Sequence, residues 1–171
     1  MGVKLFSISI GALLMAGCLP GPSVEKSNAD SKVAIERMFD AWDKAFEARD
    51  LEGTMAMYAP GTELTAYDVV PPLQYKGVDA YRKDYVALFD QFAGPIHVED
   101  RDQHIEVQGD LAFAYGLERM TGKLKDGTPV DMWMRYSEGL RFIGNDWKVV
   151  HEHVSVPVDL ATGKALTDLK P

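Results

Sequence analysis

Three side chains in this sequence have the type and setting to move a proton: Asp68, His151 and His153. The two histidines stand two residues apart in Trp147-Lys148-Val149-Val150-His151-Glu152-His153-Val154-Ser155-Val156-Pro157. A strand alternates its side chains between two faces. Unbroken alternation puts Trp147, Val149, His151, His153 and Ser155 on one face and Lys148, Val150, Glu152, Val154 and Val156 on the other. The first face starts apolar and turns polar, as expected of a strand that follows a core and then lines a cavity. Glu152 is expected at the surface or in an interface. Imidazole titrates near neutrality, so the pair could act as acid and base. The same spacing could supply two metal ligands, with Asp68 as a third. Alternatively, one imidazole could satisfy buried polar groups at the cavity mouth. No fourth ligand presents itself, and neither a metal nor a cofactor is predicted.

Asp68 is followed by Val69-Val70-Pro71-Pro72. An apolar neighbourhood raises a carboxyl pKa toward the range where a general base works. An Asp before prolines can equally cap a turn. Trp133 and Arg135 share one strand face, and Met132, Met134 and Tyr136 the other. A guanidinium among aromatics can clamp a carboxylate or phosphate, pair with Asp68 or Glu118, or sit on an outer face. Tyr75 and Ser155 complete the candidate ligand contacts, although tyrosines such as Tyr67, Tyr75, Tyr81 and Tyr85 more often belong to a core.

The elements that must position these groups follow from periodicity. Ile35, Met38, Phe39, Trp42, Ala45 and Phe46 recur at helical spacing after an N-cap at Asp30 or Ser31. A short helix is predicted over Leu51–Tyr58, and another carries Val78, Tyr81, Tyr85, Leu88 and Phe92 before Gly94-Pro95 stops it. Leu64–Tyr67 and Leu73–Tyr75 are short extended segments. Four longer strands are predicted: within Ile96–Gln108, over Leu111–Lys123, over Val130–Ile143, and from Trp147. Asp126-Gly127 gives the hairpin signal between the second and third. Residues 158–171 read as a loose tail. The order predicts an α+β fold: a cone-shaped, curved antiparallel sheet with about three helices packed on its concave face. Such a cone leaves a pocket for a small-molecule ligand.

The 171 residues suffice for one domain, and 26 Asp+Glu against 18 Lys+Arg make the chain acidic. Nucleic acid is not expected as a partner, since phosphate binding needs a basic patch. No phosphate loop or nucleophile motif is present. Lys4 and the apolar run Leu5–Met15 read as a targeting segment. Met15-Ala16-Gly17-Cys18 resembles the bacterial lipobox, and Cys18 is the only cysteine. The resemblance implies a signal peptide over 1–17, lipidation of Cys18 and a flexible tether over 18–30. The domain is then expected over 31–157, lipid-anchored to a bacterial membrane and lying in the cell envelope.

Several motifs together resemble the SnoaL-like, ketosteroid-isomerase-like branch of the nuclear transport factor 2 superfamily. They are Ala48-Arg49-Asp50-Leu51-Glu52-Gly53, Tyr67-Asp68-Val69-Val70-Pro71-Pro72, Tyr75-Lys76-Gly77, Met132-Trp133-Met134-Arg135 and His151–Pro157. The resemblance implies an α+β cone, often a homodimer through the outer face of the sheet. It implies general-base chemistry for Asp68, as in an isomerase, cyclase or lyase acting on a carbonyl or anionic substrate. A non-catalytic ligand-binding or scaffold lipoprotein is the alternative. The isomerases also use a Tyr and a protonated acid as an oxyanion hole. By motif position Trp42 stands in place of that Tyr, and Glu138 stands near the acid.

Overall fold

The computed structural model describes residues 27–171. The expected signal peptide, Cys18 and most of the tether lie outside the described residues. Helix α1 (Asn28–Glu47) starts ahead of the expected Asp30–Ser31 cap, because the Ser27 hydroxyl accepts the Asp30 amide at 3.1 Å. It buries Ile35, Phe39, Trp42 and Phe46, one stripe of a 3.6-residue period. Helix α2 (Leu51–Met55) is capped by Asp50, which accepts the Gly53 amide at 3.2 Å. A Cβ on Gly53 would lie 2.7 Å from Asp50 Oδ2 and 2.8 Å from Ala45 Cβ, so only glycine lets α2 close on α1. Arg49 reaches across to the Phe92 carbonyl at 3.0 Å. The Arg-Asp-Leu-Glu-Gly motif is thus a packing device joining the ends of three helices.

Helix α3 (Val78–Gln91) buries Tyr81 and Tyr85, one turn apart. The strands are β1 (Thr65–Tyr67), β2 (Tyr75–Lys76), β3 (His97–Gln108), β4 (Leu111–Lys123), β5 (Pro129–Ile143) and β6 (Asp146–Ser155). They form one sheet in the order β2-β1-β6-β5-β4-β3. Every pairing is antiparallel except β1 with β6, which run parallel, so the sheet is mixed. The tail is more ordered than expected: β7 (Val158–Asp159) and β8 (Lys164–Ala165) pair as a small hairpin. The core lies between the helices and the concave side of the sheet, and includes Phe46, Tyr85, Ala114, Met134 and Val149.

Two bulges decide which side chains face that core. In β3 the register shifts between Arg101 and His104, and Asp102 takes φ 54°. In β6, Val149 opposes Leu140 while His151 opposes Gly139, which leaves Val150 as the extra residue. A bulge inserts one residue, bends the strand and reverses the alternation beyond it. Trp147 and Val149 are therefore buried before the bulge, and Glu152 is buried after it.

Candidate functional site

Inside the cone is a cavity of about 160 Å³. Helix α1 contributes Phe39, Trp42 and Phe46; α3 contributes Tyr81, Tyr85 and Leu88; the sheet contributes Met120, Met132, Met134 and Tyr136. Val69, Val70, Gln91 and Asp100 are the exposed members of the lining and mark its mouth. Gly116 makes room for one wall, since a Cβ there would lie 2.8 Å from the Tyr136 hydroxyl. Gln103, turned inward past the β3 bulge, donates to that hydroxyl at 3.0 Å.

The charged part of the lining is wholly acidic among the described residues. Asp43 comes from α1, Asp68 from the loop after β1, Asp84 from α3 and Asp100 from β3. Glu118, Glu138 and Glu152 come from the three central strands. No Lys, Arg or His among the described residues lines the cavity. Burial raises the Glu138 and Glu118 carboxyls well above their ordinary range, and repulsion from neighbouring acids adds to it. Glu152 is pushed up to about 7 by burial, with Asp68 adding and hydrogen bonds from Tyr81 and Tyr58 opposing. Asp43 is also pushed up to about 7, by loss of water and then by Asp100 and other nearby acids. Asp68 is raised by burial, against a hydrogen bond from Tyr81.

A chain of short hydrogen bonds crosses the cavity floor. The Tyr85 and Tyr58 hydroxyls lie 2.6 Å apart, and Tyr58 donates to Glu152 Oε2 at 2.8 Å. The Tyr81 hydroxyl bonds both Glu152 Oε1 and Asp68 Oδ2, the latter at 2.9 Å. A phenol has one proton to donate. Tyr81 can therefore satisfy two carboxyl groups only if one of them carries a proton and donates it to the phenol oxygen. The order Tyr85, Tyr58, Glu152, Tyr81, Asp68 satisfies every member when Glu152 is the acid and Asp68 the carboxylate. Asp68 Oδ1 also accepts the Val69 amide at 2.5 Å, the turn-capping contact that Asp68 makes in addition.

The structure separates the expected site residues. Asp68 and Trp42 line the cavity, and so does Glu138. His151 and His153 do not: the Val150 bulge sends them to the outer face. There they flank Tyr67, with ring centroids 5.0 and 5.9 Å away, and His151 Nδ1 contacts the Thr65 carbonyl at 2.9 Å. Ser155 shares their face by alternation. Trp133 and Arg135 alternate with the cavity-lining Met132, Met134 and Tyr136 and so also face outward. Arg101 stacks over Trp133 at 5.1 Å, while Arg135 is exposed and cannot clamp a ligand inside the cone. Tyr75 is buried outside the cavity lining, its hydroxyl 2.8 Å from both Asp84 Oδ1 and the Pro71 carbonyl, where it braces the Asp68 loop. Among the described residues no three His, Cys, Asp or Glu side chains converge as metal ligands. No described helix is long and apolar enough to cross a membrane.

Glu152 was expected outside and is 3% exposed at the centre of the site. Glu138 opposes it directly in the β5–β6 register. One signal for this arrangement is present in the sequence. The face Met132, Met134, Tyr136, Glu138, Leu140 is apolar except for a single acid, and a lone acid on a core face needs either a partner or a purpose.

The comparisons with known proteins agree with this architecture. A SnoaL-like domain model matches residues 35–159. An NTF2-like protein of unknown function from Pseudomonas putida KT2440 is 34% identical, covering 84% of this chain and 98% of its own, with a TM-score of 0.76. An NTF2-like superfamily protein from Salmonella enterica serovar Typhimurium LT2 shares the fold at 18% identity and a TM-score of 0.71, over 82% and 100% of the two chains. A ketosteroid isomerase-like protein from Erwinia carotovora atroseptica does so at 19% identity and 0.61, over 72% and 93%. No curated protein matches the chain. The matched span runs from within α1 through β6 and takes in all of the cavity lining, and on that ground the chain belongs to the SnoaL-like family of the nuclear transport factor 2 superfamily.

Proposed function

We propose that this protein binds a one-ring-sized small molecule in the cone and moves a proton on it, with Asp68 as general base and Glu152 as acid through Tyr81. The observation that carries this reading is the Tyr81 hydroxyl held between Asp68 and Glu152, because it places one acid and one base on the same wall. A cavity of about 150 Å³ holds a benzene ring, which sets the size. Trp42 is 8% exposed and its Nε1 has no hydrogen-bond partner among the described residues, so it can donate to a carbonyl or hydroxyl oxygen of the ligand. The likeness to a protein described as ketosteroid isomerase-like is in keeping with isomerase-type proton transfer. An anionic substrate suits this lining poorly, since seven carboxyl groups and no Lys, Arg or His among the described residues line the cavity.

The reaction class is testable without the natural substrate. In D2O, the protein should catalyse α-proton exchange on cyclohexanone, a one-ring ketone, followed by NMR. The rate should fall by about 10² or more in Asp68→Asn. Equal rates for wild type, Asp68→Asn and buffer would overturn the proposal. Anchoring at Cys18 and self-association through the outer face belong to the same reading. The exposed row Leu111, Phe113 and Tyr115 supports the latter, and sedimentation equilibrium tests it.

A further inference from the structure

Several surface acids in this protein pair with bases. Arg119 bonds Asp131 and Glu99, Lys125 bonds Asp90, and Arg82 bonds Glu52. The cavity differs: seven carboxyl side chains line it, and no basic side chain among the described residues reaches it. Glu138 stands out within it. Its side chain is buried, with 5% of the residue exposed, and Oε2 has no hydrogen-bond partner among the described residues. An unpaired carboxyl in that position is costly, and the opposed pair Glu138–Glu152 adds repulsion whenever both ionise. The rest of the wall mixes Met57, Met120, Met132, Met134 and Leu88 with the aromatic rings of Phe39, Trp42, Phe46 and Tyr136, and an aromatic ring attracts a cation over its face.

We infer that the cavity selects an organic cation, a small amine whose N–H groups satisfy Glu138 while its ring packs against the aromatic wall. The carboxyl groups are spread around the wall and do not converge on a point, which suits a bulky ammonium ion and not a metal. The inference rests on the proposed small-molecule site and specifies its ligand class. The amine end sits toward Glu138, and the end to be deprotonated lies toward Asp68. A neutral carboxyl can also ionise as the cation arrives, releasing its proton to solvent, so the site gains further counter-charge on occupancy.

Isothermal titration calorimetry with three matched one-ring probes tests this near neutral pH. Benzylammonium should bind at least about tenfold more tightly than benzyl alcohol, a gap of about 1.4 kcal/mol, and benzoate should bind most weakly. In Glu138→Gln the preference for benzylammonium should shrink to within about threefold while benzyl alcohol binding persists. Glu118→Gln serves as the second variant should Glu138→Gln fail to fold. Benzyl alcohol binding as tightly as benzylammonium overturns the charge selectivity and leaves the small-molecule site standing. Binding of none of the three removes the site and the inference together. A preference unchanged in both variants also overturns it.

Discussion

Replacing Glu152 by Gln should change how stability depends on pH, and the size of the change follows from the structure. Glu152 is 3% exposed and its pKa is pushed from an ordinary 4.5 to about 7, chiefly by burial. The folded protein therefore keeps this proton longer than the unfolded chain does. Well below pH 4.5 both states are protonated and the group contributes nothing. Above about 7 both are ionised and the folded state carries the full penalty. Stability must fall as pH rises through that window, with a slope of at most about 1.4 kcal/mol per unit from this group. Between about pH 5 and pH 8 the loss integrates to about 2–3 kcal/mol. Glu138 and Glu118 shift in the same direction, so the wild-type slope is steeper than one group alone would give. Urea unfolding of wild type and Glu152→Gln at both pH values provides the comparison. The variant should lose about 2–3 kcal/mol less than wild type on going from the lower to the higher pH. A wild type equally stable at the two values, or a variant with an unchanged slope, would refute the reasoning.

Three further outcomes are expected. Tyr81→Phe removes the hydroxyl between Asp68 and Glu152, so deuterium exchange on cyclohexanone should fall by about 10² while its affinity changes little; an unaltered rate would exclude the relay. Gly116→Ala sets a Cβ 2.8 Å from the Tyr136 hydroxyl, and denaturant unfolding should show a loss of about 1–3 kcal/mol. Cys18→Ala should move the protein from the membrane fraction to the soluble one, and unchanged partitioning would argue against lipid anchoring.

The fold was legible in the sequence because most of its signals are local. The stripe Ile35, Phe39, Trp42, Phe46 gives α1, and the turns at Gly109-Asp110, Asp126-Gly127 and Gly144-Asn145 divide the long strands. The tail hairpin escaped notice because β7 and β8 are two residues each, too short to show a period. The site was half legible. Asp68 announces itself by its apolar neighbours, while Trp42 and Glu138 entered through family resemblance. Alternation grouped Met132, Met134 and Tyr136 correctly but could not say which face met the helices. In β6 it failed, because one extra residue at Val150 exchanges the faces of His151 and Glu152. That bulge is specified by pairing: Val149 bonds the Met57–Ala59 segment on one side while His151 opens the parallel pairing with β1 on the other. Such long-range hydrogen bonding leaves no periodic trace. Tyr58, Tyr81 and Tyr85 were hidden for a related reason. Each is a buried aromatic, and only the meeting of Tyr81 and Tyr58 at Glu152, with Tyr85 bonded to Tyr58, gives them a second role.

The most direct test of the account is a side-chain carboxyl 13C NMR titration of Asp68 and Glu152, in wild type and in Tyr81→Phe. Two carboxyl groups joined through Tyr81 should titrate as a coupled pair, each curve showing the other's step, with Glu152 protonated up to about pH 7. The coupling should weaken in Tyr81→Phe. Two independent titrations near the ordinary carboxylate range, unchanged by the loss of the phenol, would contradict the shared proton on which the proposed chemistry depends.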